Sequence, residues 1–201
     1  DGAEISAGLV VSNADPKRTF LRLVERSQLP SDFARGIENI RCNGNSAKIN
    51  LALSELPDFK ALPGDGPHLR GGIQVAGAAP RYLEDAWDDY RTGHPSRRPY
   101  LEVTIPSTVD DSLAPPGRHV MSISLKFVPF TPARGDWKSR REELGDLAVE
   151  TLAEYAPNIR RAVLHRHVLT PLDLEEIYGL PGGNICPGDM ALAQLFSMRT
   201  L

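Results

Sequence analysis

Apolar and polar side chains alternate most cleanly between Ser46 and Ser54. Ala47, Ile49, Leu51 and Leu53 fall on one side of an extended chain, and Ser46, Lys48, Asn50, Ala52 and Ser54 on the other. A period of two predicts a strand with one face in a core, because buried apolar area stabilises by roughly 25 cal/mol per Å2. The polar face meets either solvent or a site. Tyr100 to Pro106 and His119 to Phe127 predict two more strands around an Asp- and Pro-rich connection. Val120, Ser122, Ser124 and Lys126 alternate there against Met121, Ile123, Leu125 and Phe127, which predicts antiparallel neighbours in one sheet. Ile73 to Val75 reads as a brief strand and Ala162 to Leu169 as the last one. Asp1 to Ile5 reads as a hairpin turn, and the apolar run Gly8 to Val11 as a buried strand.

Helical spacing fills the intervals. Asp15 caps a helix that Pro16 begins, with Phe20, Leu21 and Val24 inward, and Pro30 to Ile40 forms a second. Pro80 to Arg91 presents Leu83, Ala86, Trp87 and Tyr90 to the core. Asp136 caps the longest helix, whose inner stripe is Leu144, Leu147, Ala148, Leu152 and Tyr155, and Pro157 stops it. Thr170 caps a short helix, Pro171 suits its first position, Asp173 completes a capping box and Gly179 closes it. A final helix, about Ala191 to Met198, turns Leu192, Leu195 and Phe196 inward. Leu56 to Gly72 is a long irregular loop. These elements add up to an α+β fold, a mostly antiparallel mixed sheet covered by helices.

Composition narrows the function. An apolar content of 41% and a charged content of 24% suit a soluble globular protein, and a net charge of −3 gives no electrostatic case for nucleic acid. No apolar run approaches the roughly 20 residues of a membrane-spanning helix, so membrane contact has no support. Cys42 and Cys186 stand far apart and form neither a zinc framework nor a Cys-x-x-Cys pair, which predicts a reducing, cytoplasmic setting. Glu84, Asp85, Asp88 and Asp89 resemble a metal cluster, but a helix spreads them over its solvated surface. His165 and His167 share a strand face without a completing ligand, so no metal is expected.

Two stretches bear on chemistry. Ser12-Asn13-Ala14 lies between an apolar run and a helix start, the order that brings backbone amides to a nucleotide in doubly wound folds, though without glycines. Pro181, Gly182, Gly183, Asn184, Pro187 and Gly188 form either a fixed loop whose backbone lies close to something or a turn that only reverses the chain.

The late motifs are Leu172-Asp173-Leu174-Glu175, Gly179-Leu180, Gly182-Gly183-Asn184-Ile185, Gly188-Asp189-Met190 and Gln194-Leu195-Phe196. Together with Val10 to Pro16 and Lys48 to Leu53 they resemble phytoene-desaturase-like flavoproteins, kin of carotenoid desaturases and isomerases. The nearest branch is one named for a pyridine nucleotide-disulfide oxidoreductase domain. That resemblance implies the substrate domain of a monoamine-oxidase-like flavoprotein, in which hydride passes between an apolar small-molecule substrate and FAD. Residues 1–16 would be the returning strand of the FAD domain and 17–201 the substrate-binding domain. Asn13, Ala14, Gly182, Gly183, Asn184 and Asp189 would approach the cofactor, while Lys48 and Asn50 would line the substrate chamber. The sequence departs from the family pattern in having no Gly-x-Gly-x-x-Gly cradle. The late glycine-rich FAD segment expected after Leu201 is missing as well. The chain therefore reads as a piece of a longer protein that by itself is inactive and holds no FAD stably. Cys186-Pro187 stand where the family tends to place an aromatic or small residue and a histidine, so no role of that histidine carries over. The competing reading is a non-catalytic protein-interaction domain derived from the same fold. No catalytic acid or base stands out.

Overall fold

The computed structural model describes residues 2–186 and 188–198, apart from the Ser197 side chain. The chain forms two units, Asp1–Cys42 with Cys186–Leu201, and Asn43–Ile185.

In the first unit, α1 spans Pro16–Arg18 and runs into a π-turn, Thr19–Leu23. The Asp15 carboxylate accepts from the Arg18 amide, as the capping pattern predicts. α2 spans Ser31–Glu38 and buries Ala34 and Ile37, while Phe20 meets Phe33 edge-to-face at 5.0 Å. Three expectations fail here. Residues 8–11 form no strand, and Leu9, Val10 and Val11 are 82%, 81% and 86% exposed. An apolar run becomes a strand only where a ladder partner reaches it, and no described strand does. Residues 2–5 form no hairpin either. The expected final helix is two short 3-10 turns, Leu192–Gln194 and Phe196–Met198, with Leu192 and Phe196 exposed. The buried residue there is polar Gln194. Its carboxamide accepts from the Arg41 amide (2.6 Å) and donates to the Arg41 and Asp189 carbonyls. A satisfied amide takes the place that apolar periodicity reserved for leucine.

The second unit is built on a sheet. β1 is Ser46–Leu53, β2 Ile73–Val75, β3 Leu101–Thr104, β4 His119–Lys126 and β5 Val163–Leu169. Their order is β2-β3-β4-β1-β5 and every pairing is antiparallel, so the sheet is not mixed. The α+β class holds. α3 is Arg81–Arg91, α4 Trp137–Tyr155, α5 Ile159–Ala162 and α6 Pro171–Tyr178. Asp136 caps α4 through the Ser139 amide, and α4 buries Trp137, Leu144, Ala148 and Leu152. These join Ala47, Ile49, Leu51, Leu53, Leu101, Val103, Met121, Ile123, Leu125 and Val168 in one core. All those sheet residues come from a single face.

α3 turns a different stripe inward than its leucine and tryptophan suggest. Tyr82 and Ala86 are buried, whereas Leu83 and Trp87 are almost half exposed and Trp87 stacks on Tyr90. Two stripes lie about one residue apart, and a hydrogen bond selects between them. The Tyr82 hydroxyl donates to the Pro99 carbonyl at 2.8 Å, and burial pushes its pKa up to about 12. Asp85, Asp88 and Asp89 pair with Arg81, Arg91 and Arg97 on the outer surface.

α6 follows the predicted caps closely. The Thr170 hydroxyl accepts from the Asp173 amide, the Asp173 carboxylate accepts from the Thr170 amide, and Gly179 adopts φ 69°. The buried Asp173 carboxylate also takes a 2.6 Å bond from Arg141 of α4, tying the two helices together. Thr170→Ala is expected to lower stability by about 1 kcal/mol through the lost cap. Asp173→Ala removes the cap partner and the ion pair to Arg141, whose side chain is 37% exposed and stays solvated, for a loss of about 2 kcal/mol. Equilibrium urea unfolding of the chain measures both.

Candidate functional site

β1 is hydrogen-bonded on both sides, so its register fixes which side chains share the second face of the sheet. One row runs Gln74, Glu102, Ser124, Lys48, Leu169, and the next runs Thr104, Ser122, Asn50, His167. Val120, Ala52 and His165 make a third. Directly paired residues sit about 5 Å apart, so neighbours within a row can act on one ligand. The Ser122 hydroxyl donates to the Asn50 amide oxygen at 3.0 Å, and Lys126 pairs with Glu102 at 3.0 Å along the diagonal. Lys48, Gln74, Glu102, Thr104, Ser122 and Ser124 line a depression of about 310 Å3. Burial and the neighbouring Lys126 ammonium push the Lys48 pKa below the usual lysine value, with Glu102 opposing.

Lys48 and Asn50, which the family resemblance would put in a chamber, stand two residues apart on the same polar face of β1. Sequence reading did not assign Glu102, Thr104, Ser122, Ser124 or His167 to the site. Alternation placed Ser122 and Ser124 on a polar strand face, but only the ladder sets them opposite Lys48 and Asn50.

The glycine loop is built for contact with its own chain. The Glu175 carboxylate accepts from the Gly182 amide, and the Gly183 amide donates to the Leu180 carbonyl. Gly182 and Gly183 adopt φ near 62° and 63°. A Cβ on Gly183 would lie 2.2 Å from the Pro171 carbonyl oxygen, and one on Gly44 would lie 2.4 Å from the Gly182 oxygen. The loop backbone is thus pressed between the start of α6 and the residues leading into β1. It shares the end of the sheet where β1 begins and β5 finishes, the end that carries Lys48. The glycines at 44 and 183 are demanded by internal packing, whatever else the loop touches.

Asn184 ends the glycine loop, its amide donating to the Pro181 carbonyl at 3.2 Å, and the other expected cofactor residues, Asn13, Ala14 and Asp189, lie in the first unit. Ser12 and Thr19 hydroxyls hold the Asn13–Ala14 turn, bonding respectively to the Ala14 amide and carbonyl. Asn13 is exposed. Asp189 donates its amide to the Arg41 carbonyl at 2.8 Å. Pro187 lies outside the described residues. Cys42 and Cys186 are both thiols. Among the described residues, no three of His, Cys, Asp and Glu converge as metal ligands, and no helix is long and apolar enough to cross a membrane.

No protein-family profile matches the chain. Curated proteins do. It is 39% identical over 206 residues to mouse pyridine nucleotide-disulfide oxidoreductase domain-containing protein 2, covering 99% of this chain and 36% of that protein. The rat protein of the same name is 40% identical over 98% of the chain. These relatives are named as oxidoreductases. A limonene dehydrogenase subunit from Castellaniella defragrans is 28% identical over 95% of the chain and 36% of its own length. The chain thus spans about a third of the length of these relatives. A solved Pyrococcus furiosus protein superposes on 75% of the chain with 18% identity and a TM-score of 0.40, too loose a likeness to inform the site.

Two substitutions check this geometry. Gly183→Ala should cost about 3 kcal/mol, combining left-handed strain with a collision against backbone, whereas Gly182→Ala should cost only about 1 kcal/mol; chemical denaturation separates them. Lys48→Met should stabilise the chain at neutral pH. With its folded pKa depressed, Lys48 carries a burial penalty wherever it is charged in both states. That penalty disappears as pH rises from the folded pKa to the unfolded value near 10.4, so the gain from Lys48→Met shrinks over that window. Thermal melts between pH 7 and 10 follow the difference.

Proposed function

We propose that this chain is the substrate-binding portion of an FAD-dependent oxidoreductase, with the polar sheet face as one wall of the chamber where hydride passes between substrate and flavin. The observation that carries it is the sheet itself. Three rows of side chains, polar or small apart from Leu169 and Val120, stand on the face opposite the main core cluster, in a chain whose oxidoreductase-named relatives match it from end to end.

The residues present fit a wall and not a nucleotide grip. There is no dinucleotide fingerprint, and the tightest glycine positions are filled by the chain's own carbonyls. When bound, flavin supplies the hydride acceptor or donor. What this chain contributes is orientation. The Ser122–Asn50 bond holds the Asn50 amide in place, leaving its N–H2 to donate toward a bound molecule. The adjacent glycine loop, braced by Glu175 and Pro171, sets a rigid rim at the Lys48 end. Phytoene-dehydrogenase-like chemistry on an apolar small molecule follows from the resemblance of the motifs.

The exposed Leu9-Val10-Val11 run favours a second reading, a non-catalytic interaction domain that buries this segment against a partner. Flavin content distinguishes the two. The longer protein should purify with flavin, the 201-residue chain should lose any added flavin on desalting, and Asn50→Leu in the longer protein should shift the visible flavin spectrum or lower turnover about tenfold. A longer protein that carries no flavin would favour the interaction reading. Gly183 is a poor probe, since its replacement perturbs folding.

A further inference from the structure

We infer that the depression around Lys48 receives a carboxylate, so that the substrate is an apolar molecule ending in an acid group and not a bare hydrocarbon. This deepens the chamber reading above and rests on it. Three observations carry it.

The first is charge. Two lysines and one glutamate stand on this part of the face, and Glu102 is already engaged with Lys126 at 3.0 Å. Among the described residues no carboxylate lies within ion-pair distance of the Lys48 ammonium, which is half-buried. The site therefore keeps one net positive charge, on a group partly withdrawn from water. Burial first and the Lys126 ammonium second lower its proton affinity, with Glu102 opposing them.

The second is the company Lys48 keeps. Ser124 lies directly across the ladder from it and Thr104 stands in the adjoining row, while the Ser122 hydroxyl is already committed to the Asn50 amide oxygen. Hydroxyls flanking an ammonium suit a planar monoanion, which accepts one charge-assisted bond and one or two neutral ones. A phosphate monoester carries about −1.5 to −2 at neutral pH and would leave excess negative charge here. No arginine lines the depression.

The third is the cost of the alternative. Covering an ammonium and several hydroxyls with hydrocarbon would strip their water and return no hydrogen bonds. A face meant for an all-carbon substrate would carry the side chains that the opposite face carries. At about 310 Å3 the depression accommodates the acid end of a molecule, with the apolar remainder extending beyond it.

The test uses the 201-residue chain without flavin, so it is independent of whether the longer protein is a flavoenzyme. Amide NMR spectra are followed while octanoate, 1-octanol or inorganic phosphate is added to the wild type, Lys48→Met and Lys48→Arg; the spectra also report whether each variant is folded. Octanoate should shift the Lys48, Ser122 and Ser124 resonances saturably. It should bind at least tenfold more weakly to Lys48→Met and should retain most of its affinity for Lys48→Arg. Octanol should bind at least tenfold more weakly than octanoate to the wild type. Equal affinity for the alcohol and the acid, indifference to Lys48→Met, phosphate outcompeting octanoate, or no saturable shift at these residues would each overturn the inference. Absence of flavin from the longer protein would instead overturn the chamber reading while leaving a positive octanoate result standing.

Discussion

The pairing of β1 with strands on both of its sides is the constraint from which the rest follows. With Ile49, Leu51 and Leu53 buried against α4, the strand cannot slip by one residue without exchanging its two faces. That single register decision puts Lys48 and Asn50 on the opposite side and aligns them with Ser124 and Ser122 of β4 and with Leu169 and His167 of β5. Burial of one face builds the polar rows on the other.

The same ladder explains why the glycine loop is where it is. α6 starts immediately after β5, and its capping box and Arg141 ion pair fix its direction. The chain leaving α6 is then carried back against the segment that enters β1, where only glycine backbone fits. Much of the motif that carries the family resemblance is thus accounted for by structure. Glu175 braces Gly182, Asp173 caps α6 and binds Arg141, and Gly183 lies against Pro171. A motif so fully used internally is still compatible with a cofactor nearby, because a rigid rim is what a binding chamber requires.

Functional weight therefore shifts from the loop to the sheet face. The loop's glycines have an internal explanation, whereas a half-buried lysine that forms no ion pair among the described residues does not. Polar groups gathered on one face of a sheet whose other face holds the core are costly to cover unless a ligand meets them.

Local chemistry determined what local chemistry can. β1, β4 and α4 were legible because a period of two or 3.6 over eight or more residues has few competing readings, and α6 because its caps are satisfied by residues within four positions. What lay beyond the sequence was every choice among neighbours distant along the chain. Gly8 to Val11 looked like a strand but found no ladder; α3 turned Tyr82 inward because Pro99 offered a carbonyl; Gln194 displaced leucine because Arg41 and Asp189 satisfied its amide. The meeting of Lys48, Ser124 and Glu102 belongs to the same class. Periodicity assigns a side chain to a face, but only the order and register of strands brought together across dozens of residues decide which side chains face one ligand.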